Sequence, residues 1–234
     1  VLAKSLLKHS KHKLIVYGFN CDSKINLPNV INKRINFDSK PVRYINTEFD
    51  LIDKDYSLYY AKYLTSLDSL NTEYQNFAWI DGDAFVTEHI DKSLKYISNL
   101  TDYPLFMRYF DEDMVHWRKY KNIKLEGHYG AEISHILDIK RNPNKVIIAT
   151  GFYFYNKHSK SFFQKCLDLN QKLNLQNLQI FADDNAFSEE RVTNALLWKE
   201  NKTDYLPITW NNYYSPKEKV VVNQNILDKG FDVM

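Results

Sequence analysis

Short apolar runs alternate along this chain with longer segments of helical spacing. Leu2 to Leu7 sets its leucines on one side and lysine on the other, which predicts a helix. Leu14-Ile15-Val16-Tyr17, ending at Gly18, reads as a short buried strand. Val42-Arg43-Tyr44-Ile45 is a second strand candidate. Tyr56, Tyr60, Tyr63, Leu64 and Leu67 then fall at i, i+4, i+7, i+8 and i+11, the single stripe of an amphipathic helix. Phe77-Ala78-Trp79-Ile80 follows without a polar interruption, the pattern of a strand covered on both faces. It runs straight into Asp81-Gly82-Asp83.

Further on, Leu105-Phe106-Met107 is another strand candidate, and the polar stretch from Asp111 to Asp138, with Gly127 and Gly130, reads as an excursion over the sheet. Val146-Ile147-Ile148-Ala149 and Gly151-Phe152-Tyr153-Phe154-Tyr155 bracket a strand or a hairpin. Ser159 can cap a helix running towards Leu173. Asp183-Asp184-Asn185 precedes a last helix, Ser188 to Lys199, with Val192, Ala195 and Leu196 on its inner face. Strands alternating with helices predict an α/β layer fold with a mainly parallel central sheet flanked by helices. No Pro/Gly linker divides the chain, so residues 1–234 are expected to form a single domain.

Composition narrows the function classes. The 234 residues are 44% hydrophobic and 26% charged, which excludes a disordered or fibrous chain. A chain of this size buries roughly 70% of the surface its unfolded form exposes. Lys plus Arg at 31 against Asp plus Glu at 29 leaves a net charge of +2, too balanced for a surface devoted to phosphate backbones. The 2 cysteines, Cys21 and Cys166, have neither CxxC nor zinc spacing, so a reducing, cytoplasmic setting is expected. No apolar run approaches the roughly 20 residues of a membrane span. Val1-Leu2-Ala3-Lys4 resembles neither a signal segment nor an initiator, and the chain is expected to be a fragment.

The sharpest chemical signal is Asp81-Gly82-Asp83 at the carboxyl end of a buried strand, where open α/β sheets bind ligands. A bend at Gly82 can turn both carboxylates towards one hard cation, Mn²⁺ or Mg²⁺, and a cation so held can neutralise a diphosphate leaving group. The competing reading is a tight Asp-Gly turn. Glu189 and Glu190 open the last helix. There they can act as a general base, or simply stabilise the positive end of the helix dipole. Asp183 and Asp184 are more naturally caps or loop ligands. Neither GxGxxG nor a P-loop nor a nucleophile elbow occurs, which disfavours a Rossmann oxidoreductase, a P-loop kinase and a serine hydrolase.

Read together, these segments resemble the nucleotide-sugar glycosyltransferases of the GT-A fold, particularly family 8. Tyr60-Ala61-Lys62-Tyr63-Leu64 followed by Phe77 to Val86 is similar to that family's helix and DxD block. Ala149-Thr150-Gly151-Phe152-Tyr153-Phe154-Tyr155-Asn156 resembles its Asn-x-Gly strand, and Glu189 to Trp198 resembles its acidic-pair helix, with Asn194 five positions after the first acid. Leu206-Pro207 and Trp210-Asn211 look like its downstream Leu-Pro and Trp-Asn.

The resemblance implies a metal-dependent glycosyltransferase that moves a sugar from a nucleoside diphosphate sugar, a UDP-sugar first, to the hydroxyl of a glycan, a protein or a hydroxylated DNA base. Asp81 and Asp83 would hold Mn²⁺ or Mg²⁺ and the donor. Lys62, Thr150 and Gly151 would bind the donor, and Glu189 and Glu190 would face the sugar or the acceptor. On residue pattern alone, Lys62 lies opposite the apolar stripe of its helix and is equally readable as a solvated surface lysine.

The chain departs from the family in three places. It is expected to begin after the family's first strand, which holds the nucleotide base. Ala149 stands where the family has a sugar-binding Asn, and no His follows the acidic pair; Asn211 is one replacement candidate for a third metal ligand. His128 and His135 are candidates for acceptor contact. Two other classes remain: a nucleotidyltransferase, which uses the same paired aspartates, and a non-catalytic module that binds a nucleotide sugar or glycan.

Overall fold

The computed structural model describes residues 2–22, 24–36, 41–45, 51–55, 57–82, 86, 100–108, 118–120, 123–125, 137–139, 148–175, 189–202 and 205–206. Its elements begin with α1 (Leu2–His9), β1 (Leu14–Phe19), β2 (Val30–Ile35), β3 (Pro41–Ile45), β4 (Leu51–Asp55), α2 (Ser57–Ser69) and β5 (Asn76–Ile80). They continue with β6 (Leu105–Arg108), β7 (Arg118–Tyr120), β8 (Ile123–Leu125), β9 (Ile148–Asn156), α3 (Lys160–Leu175), α4 (Glu189–Lys199) and β10 (Tyr205–Leu206). The expected helix at Leu2 and the strands at Leu14, Val42, Phe77 and Leu105 are all present. The hairpin alternative for Val146 to Tyr155 gives way to the single strand β9.

The main sheet has the order β10-β6-β9-β5. Only β10 and β6 run parallel; β9 is antiparallel to both β6 and β5. A second parallel pair, β1-β2, stands apart, and β3-β4 and β7-β8 are antiparallel. The expectation of a mainly parallel central sheet is therefore corrected: among the described residues the α/β fold has a mixed sheet. The expected cover of the Phe77 run on both faces is corrected too: among the described residues β5 is an edge strand, with Phe77 buried but Ala78, on the opposite face, exposed. An apolar run thus fixes neither strand direction nor double cover.

Strand β9 lies inside the main sheet. Tyr153 and Tyr155 face the larger core with Tyr63 of α2, Phe162 and Phe163 of α3, and Val192 and Leu196 of α4. Phe152 and Phe154, both fully buried, face the other way onto Leu6 of α1, Leu105 and Val86. The alternation of strand side chains thus feeds two cores from one strand. Helix α2 buries hydroxyls as well as its apolar stripe, because the tyrosines it covers carry polar tips that need partners. Ser66 Oγ lies 2.9 Å from the Tyr153 hydroxyl, and Ser69 Oγ 2.8 Å from that of Tyr155.

Two local departures have physical causes. Ser159 takes part in a cap one turn earlier than expected. The side chain of Asn156, the last residue of β9, accepts from the His158 amide at 2.8 Å, and Ser159 reciprocates onto the Asn156 amide, so a one-turn 3-10 helix (Lys157–Ser159) leads into α3. Strand β2 went unread because Val30-Ile31-Asn32-Lys33-Arg34-Ile35 is half polar. It is held by pairing with β1 and by Lys33, whose Nζ meets Asp68 Oδ2 on α2 at 2.6 Å while the Tyr17 hydroxyl donates to the same oxygen at 2.9 Å.

Burial raises the phenol pKa of Tyr63 and Tyr153 well above the ordinary value and pushes Tyr155 up to about 12. At Tyr17 burial, aided by the hydrogen bond to Asp68 and that carboxylate's charge, acts in the same direction. In the unfolded chain these phenols ionise near pH 10. Above that pH the native state binds more protons than the unfolded one, so stability falls as pH rises. The melting temperature is expected to hold through neutral pH and to drop above about pH 10; a flat profile through that window contradicts the buried-phenol arrangement. Burial also raises the Cys166 thiol, whereas Cys21 is exposed. In a thiol titration of the native chain with Ellman's reagent, Cys21 should react rapidly and Cys166 only after denaturation.

Candidate active site

The site starts where β5 ends. The Asp81 amide donates to the Gly151 carbonyl at 2.9 Å, which carries the β5-β9 ladder one residue past Ile80. Strand alternation puts Trp79 and Asp81 on one side, and the Trp79 Nε1–H donates to Asp81 Oδ1 at 2.7 Å. From α2, Lys62 Nζ reaches the same carboxylate, 3.0 Å from Oδ1 and 3.1 Å from Oδ2. It also lies 2.9 Å from Glu189 Oε1 on α4.

Lys62 is 17% exposed and Glu189 12%, so their contact is a partly desolvated, charge-assisted one rather than a surface pair, while Asp81, at 34%, stays open to solvent on one side. The reading of Lys62 as a solvated lysine is thereby corrected: it points away from the apolar stripe of α2 but into a polar junction. Burial pulls its ammonium pKa down, yet Glu189 and Asp81 outweigh that and leave it raised. Lys62 therefore stays charged. Its share of stability is complete below its ordinary value of 10.5 and is lost as pH climbs through the raised value.

Thr150 enters through an irregularity in β9. Phe106 pairs with Tyr153, but the next residue of β6, Met107, pairs with Ala149, so Thr150, Gly151 and Phe152 bulge past β6. The bulge sends the Thr150 amide to a side chain, and it donates to Glu190 Oε2 at 3.1 Å. The Thr150 hydroxyl lies 3.3 Å from Glu189 Oε1, and its carbonyl 3.4 Å from Lys62 Nζ.

Helix α4 is seated by side chains its sequence does not advertise. Asn194, fully buried, accepts from the Ile148 amide at 2.9 Å and donates to the Ile148 carbonyl at 3.0 Å, taking the place of a strand neighbour. It also donates to the Glu190 carbonyl at 2.9 Å. The Tyr63 hydroxyl donates to the Glu189 carbonyl and lies 2.8 Å from Thr193 Oγ1. At about 100° per residue, positions five apart sit about 140° apart around a helix. The spacing of Glu189 and Asn194 therefore lets one serve Lys62 while the other grips β9. Both acids lie in the first turn of α4, so the dipole reading of their placement holds alongside the junction.

The structure thus brings together Lys62, Asp81, Thr150, Gly151, Glu189 and Glu190, drawn from four separate parts of the sequence. Asp83, Asp183, Asp184, His128, His135, Trp210 and Asn211 lie outside the described residues. A Cβ at Gly82 would meet nothing within 4 Å, so packing does not demand glycine there. Trp79 and Tyr63 were read only as core residues; the i, i+2 relation of Trp79 to Asp81 on a strand was the signal for the first.

Divalent-cation binding can be tested against the donor set. Among the described residues no group of three His, Cys, Asp or Glu side chains is placed to hold a metal. A carboxylate offers about four lone-pair directions, and at Asp81 Trp79 takes one and Lys62 two. Asp81 thus fits a hard cation as a single oxygen ligand, and the rest of the shell must come from elsewhere.

Removing the ammonium strands two partly buried carboxylates. Lys62→Met is expected to cost about 2 kcal/mol of unfolding free energy, and Asn194→Ala, which orphans both polar groups of Ile148, about 2–3 kcal/mol. Urea denaturation measures both; a change within about 0.5 kcal/mol for either variant contradicts the junction.

No family model matches the chain, and no curated protein sequence matches it. Among the helices of the described residues, none is long and apolar enough to cross a membrane. The chain is similar in structure to a solved apo form of the bifunctional glycosyltransferase WbbM, at 14% sequence identity and a TM-score of 0.49. That likeness covers 88% of this chain and 35% of WbbM, so the chain spans about a third of that protein's length.

Proposed function

We propose that the chain transfers a glycosyl group from a nucleoside diphosphate sugar, a UDP-sugar first, to an acceptor hydroxyl. The observation that carries this reading is the Lys62 junction, which ties Asp81 at the carboxyl end of β5 to Glu189 and, through Thr150, to Glu190. A ligand at the strand end would meet both groups of carboxylates at once.

In this reaction the bond between the anomeric carbon and the diphosphate oxygen breaks, and the diphosphate leaves with the electron pair. A new bond forms from the acceptor oxygen to the same carbon, and the acceptor proton passes to a base. Asp81 orients the donor, its carboxylate fixed by Trp79 and Lys62. Lys62 supplies positive charge beside the leaving group, where charge develops. Glu189 and Glu190 face the sugar and acceptor, and Glu190 is the candidate base. A Mn²⁺ or Mg²⁺ ion bound by Asp83 and the remaining lone pair of Asp81 would add charge neutralisation for the diphosphate. Proton removal by Glu190 in a single displacement inverts the anomeric centre, whereas resemblance to family 8 implies retention; the product anomer distinguishes the two.

A screen of nucleoside diphosphate sugars with Mn²⁺ or Mg²⁺, read by nucleoside diphosphate release together with thermal shift, tests the proposal. Turnover is expected with at least one donor. Glu190→Gln should lower it by about 10²–10⁴-fold, and Asp81→Ala and Asp83→Ala by at least about 10²-fold, with melting temperatures showing folded protein. Release of pyrophosphate instead would mark a nucleotidyltransferase, and donor binding without any turnover would mark a binding module.

A further inference from the structure

We infer that Trp79 is a positioning residue for the proposed reaction, fixing the carboxylate of Asp81 through its indole N–H. Three observations carry this. The Nε1–H donates to Asp81 Oδ1 at 2.7 Å, the shortest of the polar contacts that converge on this carboxylate. The indole is itself immobilised: it stacks on Tyr153 with ring centroids 6.1 Å apart and an interplanar angle of 11°, directly opposite it in the β5-β9 register. Tyr153 is in turn 1% exposed and bonded through its hydroxyl to Ser66 of α2 at 2.9 Å. A chain of fixed groups therefore runs from the helix that carries Lys62, through the core, to the acid at the strand end.

The geometry assigns the two oxygens of Asp81 different work. Among the described residues Oδ1 accepts from Trp79 and lies 3.0 Å from Lys62 Nζ, whereas Oδ2 accepts from Lys62 and meets no second donor. Indole N–H is a donor only and cannot accept. Because its ring is held by the stack on Tyr153, it ties one oxygen of Asp81, fixes the plane of the carboxylate, and leaves the other oxygen to an incoming ligand. Phenylalanine would keep the stack on Tyr153 but lose this bond, leaving the carboxylate held by Lys62 and free to turn about its Cβ–Cγ bond. The role of Trp79 rests on the proposed donor site, since it acts only through Asp81.

The test uses the whole chain, with uridine diphosphate plus Mn²⁺ as the probe in calorimetric titration. Trp79→Phe is expected to weaken binding about tenfold with little change in melting temperature, and to add no further loss in an Asp81→Ala background. A second readout needs no ligand: the indole proton of Trp79 in ¹⁵N-labelled protein should exchange slowly with water and should shift and exchange faster in Asp81→Asn. This readout stays decisive where Trp79→Phe fails to fold. Unchanged probe affinity in a folded Trp79→Phe variant, or an indole proton indifferent to Asp81→Asn, overturns the assignment. Wild-type chain that binds no nucleoside diphosphate at all overturns the donor site itself, a different result from a site that binds and ignores Trp79.

Discussion

One ammonium group organises the centre of this molecule. Lys62 Nζ stands about 3 Å from carboxylates at two places far apart in sequence, the end of β5 and the first turn of α4. Like charges brought close in a partly desolvated place repel, and that repulsion is offset by a cation between them. Lys62 supplies it, and the two acids in turn keep Lys62 protonated against the burial that would discharge it. Donors and acceptors are thus already aimed at one another in the free chain.

The rest of the fold holds the parts of this junction in place. Helix α2 must stay against β9 for Lys62 to reach, and it does so through phenol–serine contacts as well as apolar packing. Helix α4 must present its N-terminus to Lys62, and Asn194 pins it there by imitating a neighbouring strand. Strand β9 serves both, and the one irregularity in its pairing falls at Thr150 to Phe152. There the backbone leaves β6 and gives an amide to Glu190. Bulges commonly re-aim backbone groups, and this one frees a main-chain donor for Glu190.

Much of this was legible in the sequence. The apolar run from Phe77 to Ile80 located β5, and the acids after it and at the start of α4 carry chemistry that a residue pattern can display. Strand direction was not legible. The apolar run was read as the double cover typical of a parallel strand, but β5 leaves Ala78 exposed, and the sheet expected to be mainly parallel is mixed. Lys62 was ambiguous for a related reason. Helical spacing tells which side of α2 is apolar, but whether the polar side meets water or buried carboxylates depends on α4, more than a hundred residues later. The part played by Asn194 was equally hidden, because a buried asparagine that replaces a strand is defined by the amide and carbonyl it reaches, not by its neighbours in sequence.

The account is tested most directly by a crystal structure of the chain grown with an intact nucleoside diphosphate sugar and Mn²⁺. It predicts the diphosphate beside Asp81 and Lys62 and the sugar against Glu189 and Glu190, with the Lys62 junction still assembled. Donor bound elsewhere on the chain, with Asp81, Lys62 and Glu189 joined as they are now and facing no ligand, would make the junction a purely structural tie and contradict the proposed reaction.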